Sequence, residues 1–199
     1  MTDKPRKATI KRETRETQIT LTLDLDGTGK VRCQTGIGFL DHMLEHLGKH
    51  SLTDLTVSAG GDLEVDDHHT TEDVAICLGE ALVKALGDKA GIRRYGSASV
   101  PMEEALAEVS MDLSGRAAIV FNVSFTGDKI GTFDVQLVEE FLRRLASTAG
   151  MNLHVKVPYG SNDHHIAEAI FKAVAQALRA AKEIDPARAG EVPSTKGKL

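Results

Sequence analysis

The motif D-H-H-x-x-E occurs twice in this chain, and this repeat constrains the fold more than any other feature of the sequence. Each copy consists of an aspartate, two adjacent histidines and a glutamate, which are Asp67, His68, His69 and Glu72 in the first copy and Asp163, His164, His165 and Glu168 in the second, each 96 positions later. Aspartate is a favourable N-cap and a helical pattern follows each copy, so each histidine pair is predicted to begin a helix.

The geometry of a helix start predicts what the two copies do. Adjacent helical residues diverge by about 100°, so the two histidines of one copy cannot easily reach one ion from the same side. A single pair of adjacent histidines is more often a polar helix cap than a metal site. Two copies in one register, each with its own carboxylate, favour metal binding instead. The repeat therefore predicts two metal sites, each drawing on both halves of the chain.

Similar elements surround both copies. In the first half the patterns predict a strand over 10–25, a hairpin turn at 26–29 with its returning strand over 30–35, a helix over 39–50, a strand over 52–59 and a helix to about Leu86. In the second half they predict strands over 103–113 and 117–124, a helix over 135–149, a strand over 153–157 and a helix to about Glu183. The predicted fold is α+β, an internal duplication of two similar β-β-α-β-α half-domains whose sheets are covered by helices. The halves span 9–92 and 93–184, and 185–199 are predicted to form a C-terminal tail over the active site.

The repeat also extends the search for metal ligands. Alignment of the strands around 55–57 and 153–155 offsets the preceding helices by 98, so that His42 corresponds to Glu140. Both are good ligand types, and the duplication favours Glu140 as a ligand over an ordinary exposed helix carboxylate. His46 and His50 lie one and two turns after His42, and His50 is the better candidate for a contact with substrate.

Composition limits the possible partners and metals. The 199 residues have a formal net charge of −5, which argues against nucleic acid as an electrostatic partner. The sequence shows neither a leader-type apolar region at the N-terminus nor a stretch of transmembrane length. Cys33 and Cys77 are far apart in sequence, which predicts a reduced, cytoplasmic protein. Because no cysteine accompanies the histidines, the ligands are nitrogen and oxygen, a set that suits Mn, Fe, Co, Ni or Zn but not thiolate-rich structural zinc.

Five motifs in one order carry a resemblance to a known family. They are F-L-D-H-M-L at 39–44, D-D-H-H-T-x-E-D at 66–73, D-L-S-G-R at 112–116, H-H-x-x-E-A-x-F-K at 164–172 and P-S-T-K-G at 193–197. In these motifs, from about Thr9 to Leu199, the chain resembles imidazoleglycerol-phosphate dehydratase. The resemblance implies a cytoplasmic metal-dependent hydro-lyase of histidine biosynthesis. It would convert D-erythro-imidazole glycerol phosphate to imidazole acetol phosphate, with the substrate ring held as a metal-bound imidazolate. It further implies two Mn²⁺ ions per active site, with other divalent metals possible, and a homo-oligomer that is an octahedral 24-mer built from trimers.

The resemblance assigns roles residue by residue. The implied metal ligands are His42, His68, His69, Glu72, Glu140, His164, His165 and Glu168. Glu140 departs from the histidine that several relatives carry, and Glu139 is a competing candidate there. The implied catalytic carboxylates are Glu16, Glu72 and Glu168, and the role of Glu16 rests on the resemblance alone. Implied substrate contacts are Glu16, His42 and His50, with the phosphate bound by Arg94, Arg116, Lys172, Ser194 and Lys196. Cationic side chains and hydroxyl donors of this kind suit a phosphomonoester.

Two other functions remain open from the sequence alone. His42 to His46 spell the inverted zinc motif H-x-x-E-H of some metallopeptidases, although a zinc metallopeptidase would leave both D-H-H-x-x-E copies unexplained. The second alternative is a metal-scaffolded assembly protein without catalysis. Binding of a phosphate-bearing imidazole distinguishes the dehydratase from such a scaffold.

Overall fold

The computed structural model describes residues 5–188, 190–197 and 199. The first half contains β1 (Lys7–Glu13), β2 (Thr17–Asp24), β3 (Val31–Gln34), α1 (Gly38–Ser51), β4 (Asp54–Gly61) and α2 (His68–Leu86). The second half contains β5 (Tyr95–Met102), β6 (Ala105–Asp112), β7 (Ala118–Asn122), a short pair β8 (Lys129–Ile130) and β9 (Phe133–Asp134), α3 (Gln136–Ala149), β10 (Asn152–Tyr159) and α4 (Asp163–Lys182). A single 3₁₀ turn, Pro186–Arg188, follows α4. In the described part of the chain, none of the helices has the length and apolar character needed to cross a membrane.

The two halves build four-stranded sheets of the same topology. Their strand orders are β1-β2-β4-β3 and β5-β6-β10-β7. In each sheet the first two strands form an antiparallel hairpin, and the third strand pairs in parallel with the fourth. A helix connects those parallel strands in both halves, as a parallel pairing requires. The predicted α+β class and internal duplication are confirmed, with three strands of the four-stranded sheet rather than two before the first helix of each half, and the short pair β8–β9 added in the second half.

One strand of each half was not predicted from the sequence, and the reason differs between the two halves. The segment predicted as one strand over 10–25 is two strands, because a turn without glycine or proline interrupts it at 14–16. The strand β5 contains Gly96 and Pro101, which weaken a strand pattern. Proline is nevertheless tolerated there because β5 is an edge strand.

The predicted hairpin at 26–29 is wrong. The strand β3 does not pair back onto β2, since β4 lies between them. The carboxylate of Asp54, the first residue of β4, accepts hydrogen bonds from the backbone N–H groups of Thr28 and Lys30 at 2.7 and 2.9 Å. The connecting segment is therefore tied to β4, which guides β3 to the far side of that strand.

The helices lie between the two sheets, and each half packs against the other. The helix α2 contacts β1 and β2 of its own half and α3 of the other, while α4 contacts β5 and β6 of its own half and α1 of the other. Burial alternates along the strands, so each sheet turns one face to the helices. At the centre, the rings of Phe141 and Phe171 lie 5.3 Å apart and are almost fully buried. The two histidine motifs therefore start helices that both run through the middle layer.

The side-chain hydrogen bonds at the starts of α2 and α4 come from the residue before the aspartate that was predicted to make them. Asp67 makes no side-chain cap hydrogen bond, whereas Asp66 accepts one from the backbone N–H of His68 at 2.7 Å. Asn162, the equivalent residue in the second copy, accepts one from the backbone N–H of His164 at 2.9 Å. These bonds satisfy backbone donors that a helix start otherwise leaves unpaired.

Comparison of the halves predicts a stabilising substitution at the end of α1. Leu52 ends α1 in the left-handed region with φ 52°, where its counterpart Gly150 ends α3 with φ 62°. The left-handed conformation costs a non-glycine residue about 1–2 kcal/mol. Glycine avoids this cost, but it loses more backbone entropy on folding, which offsets the gain by about 0.5–1 kcal/mol. We expect Leu52→Gly to raise the free energy of unfolding by about 0.5–1 kcal/mol, measured by denaturant titration. Gly150→Ala is the mirrored control and should destabilise. A less stable Leu52→Gly protein would contradict the prediction.

Candidate metal centre

The first cluster of possible ligands joins α1 of the first half to α4 of the second. His42, His164 and Glu168 each offer a donor atom, and these atoms lie within 4.8 Å of one another. The Oε2 atom of Glu168 is 3.4 Å from Nε2 of His42 and 3.3 Å from Nε2 of His164. The cluster therefore contains two imidazoles and one carboxylate.

The second oxygen of Glu168 is held by the protein. Its Oε1 atom lies 2.6 Å from Nζ of Lys172 and 3.3 Å from Nε2 of His46. Burial of Glu168 would by itself raise its pKa, but the hydrogen bond from Lys172 and the neighbouring His46 lower the pKa to about 2. Glu168 is thus ionised, with Oε1 fixed and Oε2 facing the two histidines.

The second cluster is the counterpart of the first and joins α2 to α3. Donor atoms of His68, Glu72 and Glu140 lie within 4.8 Å of one another. Arg144 bridges the two carboxylates, because its Nε atom is 2.6 Å from Oε1 of Glu140 and 3.0 Å from Oε1 of Glu72. Glu139 lies outside this cluster and pairs with Arg143 one turn along α3. The geometry therefore favours Glu140 over Glu139 as the counterpart of His42.

The donor chemistry of both clusters fits a divalent first-row metal ion. One cluster offers two imidazoles and a carboxylate, and the other offers one imidazole and two carboxylates. Imidazole and carboxylate together suit Mn, Fe, Co, Ni or Zn. Three protein donors also leave coordination positions for further ligands. Each cluster takes residues from both halves of the chain.

His69 and His165 lie outside both clusters, and each is held by a carboxylate. Nδ1 of His69 is 2.9 Å from Oδ2 of Asp62, and Nδ1 of His165 is 2.7 Å from Oε2 of Glu104. The bond to His165 and the backbone N–H of Asn162 lower the pKa of Glu104 to about 2. A carboxylate on one ring nitrogen is the common arrangement of a metal-binding histidine, because it directs the other nitrogen towards the ion.

Glu16 lies beside His69. It occupies the turn between β1 and β2, where its backbone N–H donates to the hydroxyl of Thr14 and its carbonyl accepts from the N–H of Asp62. Its Oε2 atom is 3.9 Å from Nδ1 of His69, which is beyond hydrogen-bond distance. The turn thus places a half-exposed carboxylate next to a histidine of the motif.

Most of the predicted phosphate ligands line one cavity. This cavity of about 820 Å³ is bounded by Arg94, Arg116, Ser194 and Lys196, among others. The guanidinium of Arg94 binds both carboxylate oxygens of Asp112, at 2.6 and 2.9 Å, and its Nη1 donates to the carbonyl of Pro193 at 2.8 Å. Arg94 therefore also fastens the C-terminal segment to the second sheet.

The other four predicted substrate residues lie outside this cavity: His42 belongs to the first cluster and Glu16 lies beside His69. Lys172 is at the first cluster, bonded to Glu168. His50 lies on the same side of the protein, with its ring stacked on that of His46 at a centroid distance of 5.6 Å. The set predicted to bind substrate is thus divided between the cavity, the surroundings of the first cluster and the turn beside His69.

Sequence reasoning missed three residues that contact the candidate ligands. Asp62 was hidden in a Gly-Gly-Asp turn, and Glu104 precedes a strand whose partner strand was not recognised. Arg144 could have been found from the repeat, because it lies 98 positions after His46. In the structure both residues contact the glutamate of the facing motif.

Comparison with known proteins gives the same family throughout. A family model described as imidazoleglycerol-phosphate dehydratase matches residues 35–178. The chain is 58% identical over 194 residues to the imidazoleglycerol-phosphate dehydratase of Xanthobacter autotrophicus, with 98% of both proteins covered. It is also 58% identical to that of Paracoccus denitrificans, over 98% of this chain and 100% of the relative.

Solved structures agree with the sequence comparison. The imidazoleglycerol-phosphate dehydratase of Staphylococcus aureus superposes with a TM-score of 0.82 at 39% identity, covering 90% of this chain and 99% of that one. The structure of the Pyrococcus furiosus protein in complex with (S)-C348 superposes with a TM-score of 0.83 at 36% identity, covering 96% and 100%. The chain therefore belongs to the imidazoleglycerol-phosphate dehydratase family.

Proposed function

We propose that this protein removes water from D-erythro-imidazole glycerol phosphate to give imidazole acetol phosphate in histidine biosynthesis, with two Mn²⁺ ions per active site. The observation that carries the metal part is the pair of related clusters, His42–His164–Glu168 and His68–Glu72–Glu140, each with donor atoms within 4.8 Å of one another. The family supports the reaction.

The residues around the clusters divide the work of the reaction. Bound divalent ions would supply positive charge that holds the imidazole ring and acidifies the substrate. Of the three candidate catalytic carboxylates, Glu168 is tied to Lys172 and Glu72 to Arg144. Glu16 is half exposed and makes no such ion pair at hydrogen-bond distance among the described residues. We therefore assign proton transfer to Glu16.

The phosphate group is assigned to the cavity formed by the C-terminal segment. Arg116 and Lys196 supply positive charge there, and Ser194 supplies a hydroxyl donor. Arg94 bonds both Asp112 and the Pro193 carbonyl, and so holds the C-terminal segment at the wall of this cavity. Binding of the phosphate holds the substrate while the carbon chain reacts.

The assembly is proposed to be a 24-mer in which copies share metal ligands. His69 and His165 are oriented by carboxylates but lie outside the clusters of their own chain. We propose that they complete the metal sites of neighbouring copies. Such sharing would make metal binding and assembly one process.

A cytoplasmic location is part of the proposal. Cys33 and Cys77 are both free thiols, and Cys77 is buried. Free thiols are typical of a reducing compartment.

The test is a dehydratase assay on imidazole glycerol phosphate with chelated protein, with and without added Mn²⁺. Turnover that returns only with the metal would support the reaction and the cofactor together. Absence of turnover with Mn²⁺, Fe²⁺, Co²⁺, Ni²⁺ or Zn²⁺ would contradict the proposal and leave the metal-scaffolded assembly as the alternative. Peptidase activity with Zn²⁺ would instead favour the metallopeptidase.

The unlike donor sets of the two clusters predict unlike metal preferences. Carboxylates favour Mn²⁺, whereas imidazoles favour ions such as Ni²⁺. We expect Ni²⁺ to displace Mn²⁺ from the wild-type protein in two steps, separated by roughly tenfold in concentration, or about 1.4 kcal/mol. Glu140→His makes the second donor set like the first, so the steps should merge. Bound metals are counted by elemental analysis.

The matched control for this titration is the neighbouring carboxylate. Glu139→His changes the same helix outside the cluster, so the two steps should remain. A single step in the wild type, or merged steps in the Glu139→His protein, would contradict the prediction.

A further inference from the structure

The turns that precede the second strand of each sheet are structurally equivalent. In the first sheet Glu13 pairs with Gln18, and in the second Pro101 pairs with Leu106, 88 positions further along on both strands. The same offset relates Glu16, immediately before β2, to Glu104, immediately before β6. Each glutamate lies beside the second histidine of the motif in its own half. Glu16 and Glu104 are therefore counterparts in the duplication.

These counterparts make different contacts. The carboxylate of Glu104 accepts from Nδ1 of His165 at 2.7 Å and from the backbone N–H groups of Ser161 and Asn162 at 3.1 and 2.7 Å. Glu16 stays 3.9 Å from Nδ1 of His69, because Asp62 already occupies that nitrogen at 2.9 Å. One glutamate is fully engaged in holding its histidine, and the other is not.

The reason for the difference lies in the loop before each motif. Asp62 follows β4 directly, and the residue that follows β10 directly is Gly160. A Cβ atom at Gly160 would lie 2.7 Å from Cγ1 of Ile166 and 3.0 Å from Cβ of Ala105, so a side chain there would have to displace Ile166. The second half thus has glycine in a crowded position where the first half has Asp62, and Glu104 is the carboxylate that reaches His165.

We infer that Asp62 is a positioning residue: it holds His69 for its metal ion, so that Glu16 need not bond His69 and is available for proton transfer. Glu104, the counterpart of Glu16, holds His165 itself and is not available for proton transfer. The carboxylate of Glu104 accepts from a histidine, two backbone N–H groups and the hydroxyl of Ser161, so most of its acceptor sites are occupied and it is poorly placed to take a proton from substrate. An unengaged carboxylate beside the same kind of histidine is well placed. The role of Asp62 rests on the proposed metal sites and on the proposed role of Glu16.

The test is a double-mutant cycle on metal affinity, measured by Mn²⁺ titration of the full-length protein. Glu16→Ala should leave the affinity unchanged, because Asp62 still holds His69. Asp62→Ala should lower it only a few-fold, because Glu16 moves in as the substitute partner. The double variant should lower it about 10- to 100-fold, the usual effect of losing the outer partner of a metal-binding histidine. Glu104→Ala, which has no substitute, should lose as much in a single step.

A control and a structure complete the experiment. Glu13, an exposed carboxylate at the end of β1, is the matched control, and adding Glu13→Ala to Asp62→Ala should change nothing further. A crystal structure of the Asp62→Ala protein should show Glu16 within hydrogen-bond distance of His69. Additive effects of Asp62→Ala and Glu16→Ala, with Glu16 unmoved, would overturn the inference while leaving the metal sites intact. Absence of metal binding in the wild type would overturn the inference and the proposed metal sites together.

Discussion

Replacement of Glu16 by glutamine is expected to lower kcat by about 10²- to 10⁴-fold, the contribution of a positioned acid or base. Glutamine keeps the shape of the side chain and its polarity but cannot carry the proton. Glu16 lies beyond hydrogen-bond distance of His69, so the metal-binding histidine keeps its partner Asp62. The expected result is therefore loss of turnover with unchanged Mn²⁺ content and unchanged substrate binding, measured by steady-state kinetics, elemental analysis and calorimetry.

The control for this substitution is Glu13→Gln, three residues earlier on the same hairpin. It changes the same charge at an exposed strand position and should leave kcat within twofold, a factor worth about 0.4 kcal/mol. Normal turnover in the Glu16→Gln protein would remove Glu16 from the mechanism. Loss of bound metal in that protein would instead show that Glu16 helps to hold His69.

Removal of metal by a chelator is expected to abolish turnover and to break the assembly at the same time. His69 and His165 are oriented by Asp62 and Glu104 but lie outside the clusters of their own chain. If they bind ions held by neighbouring copies, each ion is a link between subunits, and its loss removes the link. Mass measurement in solution should show smaller species after chelation and the full assembly after Mn²⁺ is restored.

The variants His69→Ala and His165→Ala separate the two effects of chelation. Each keeps the three-residue clusters of its own chain but lacks one proposed ligand to a neighbour. Both are expected to yield smaller assemblies even in excess Mn²⁺. A chelated protein that keeps its full mass would refute the sharing of ligands between copies, although the dehydratase proposal itself would stand.

Local periodicity predicted the helices well but not the pairing of the strands. The helices after both motifs were predicted to within about one residue of their observed ends at Leu86 and Lys182, because their apolar pattern is long and regular. The parallel pairing of β3 with β4 depends on a strand that arrives later in the chain, and nothing in the segment at 26–35 encodes it. The strand β5 was missed because Gly96 and Pro101 weaken the strand pattern. Both are tolerated at a sheet edge, but the sequence alone does not show that this segment lies at an edge.

Some residues of the site could be predicted from the sequence repeat, whereas others depend on how the folded chain packs. The pairing of His42 with Glu140 follows from the offset of the two halves, and the structure places each in a cluster with the facing motif. Asp62 and Glu104 could not be found in this way. They perform the same task from different positions, because the crowding at Gly160 is a property of the folded protein. A repeat in sequence identifies counterparts only where both halves place the functional residue at the same position.

The crosswise packing of the helices has a consequence for the origin of the fold. Since α1 contacts α4 and α2 contacts α3, every three-residue cluster needs one helix from each half. A precursor consisting of one half would have owned the motif helix and the facing helix, yet could have brought them together only by pairing with a second copy of itself. The duplicated chain thus joins covalently the two copies that such a precursor would have had to bring together, with Glu140 as the facing ligand in one cluster and His42 in the other.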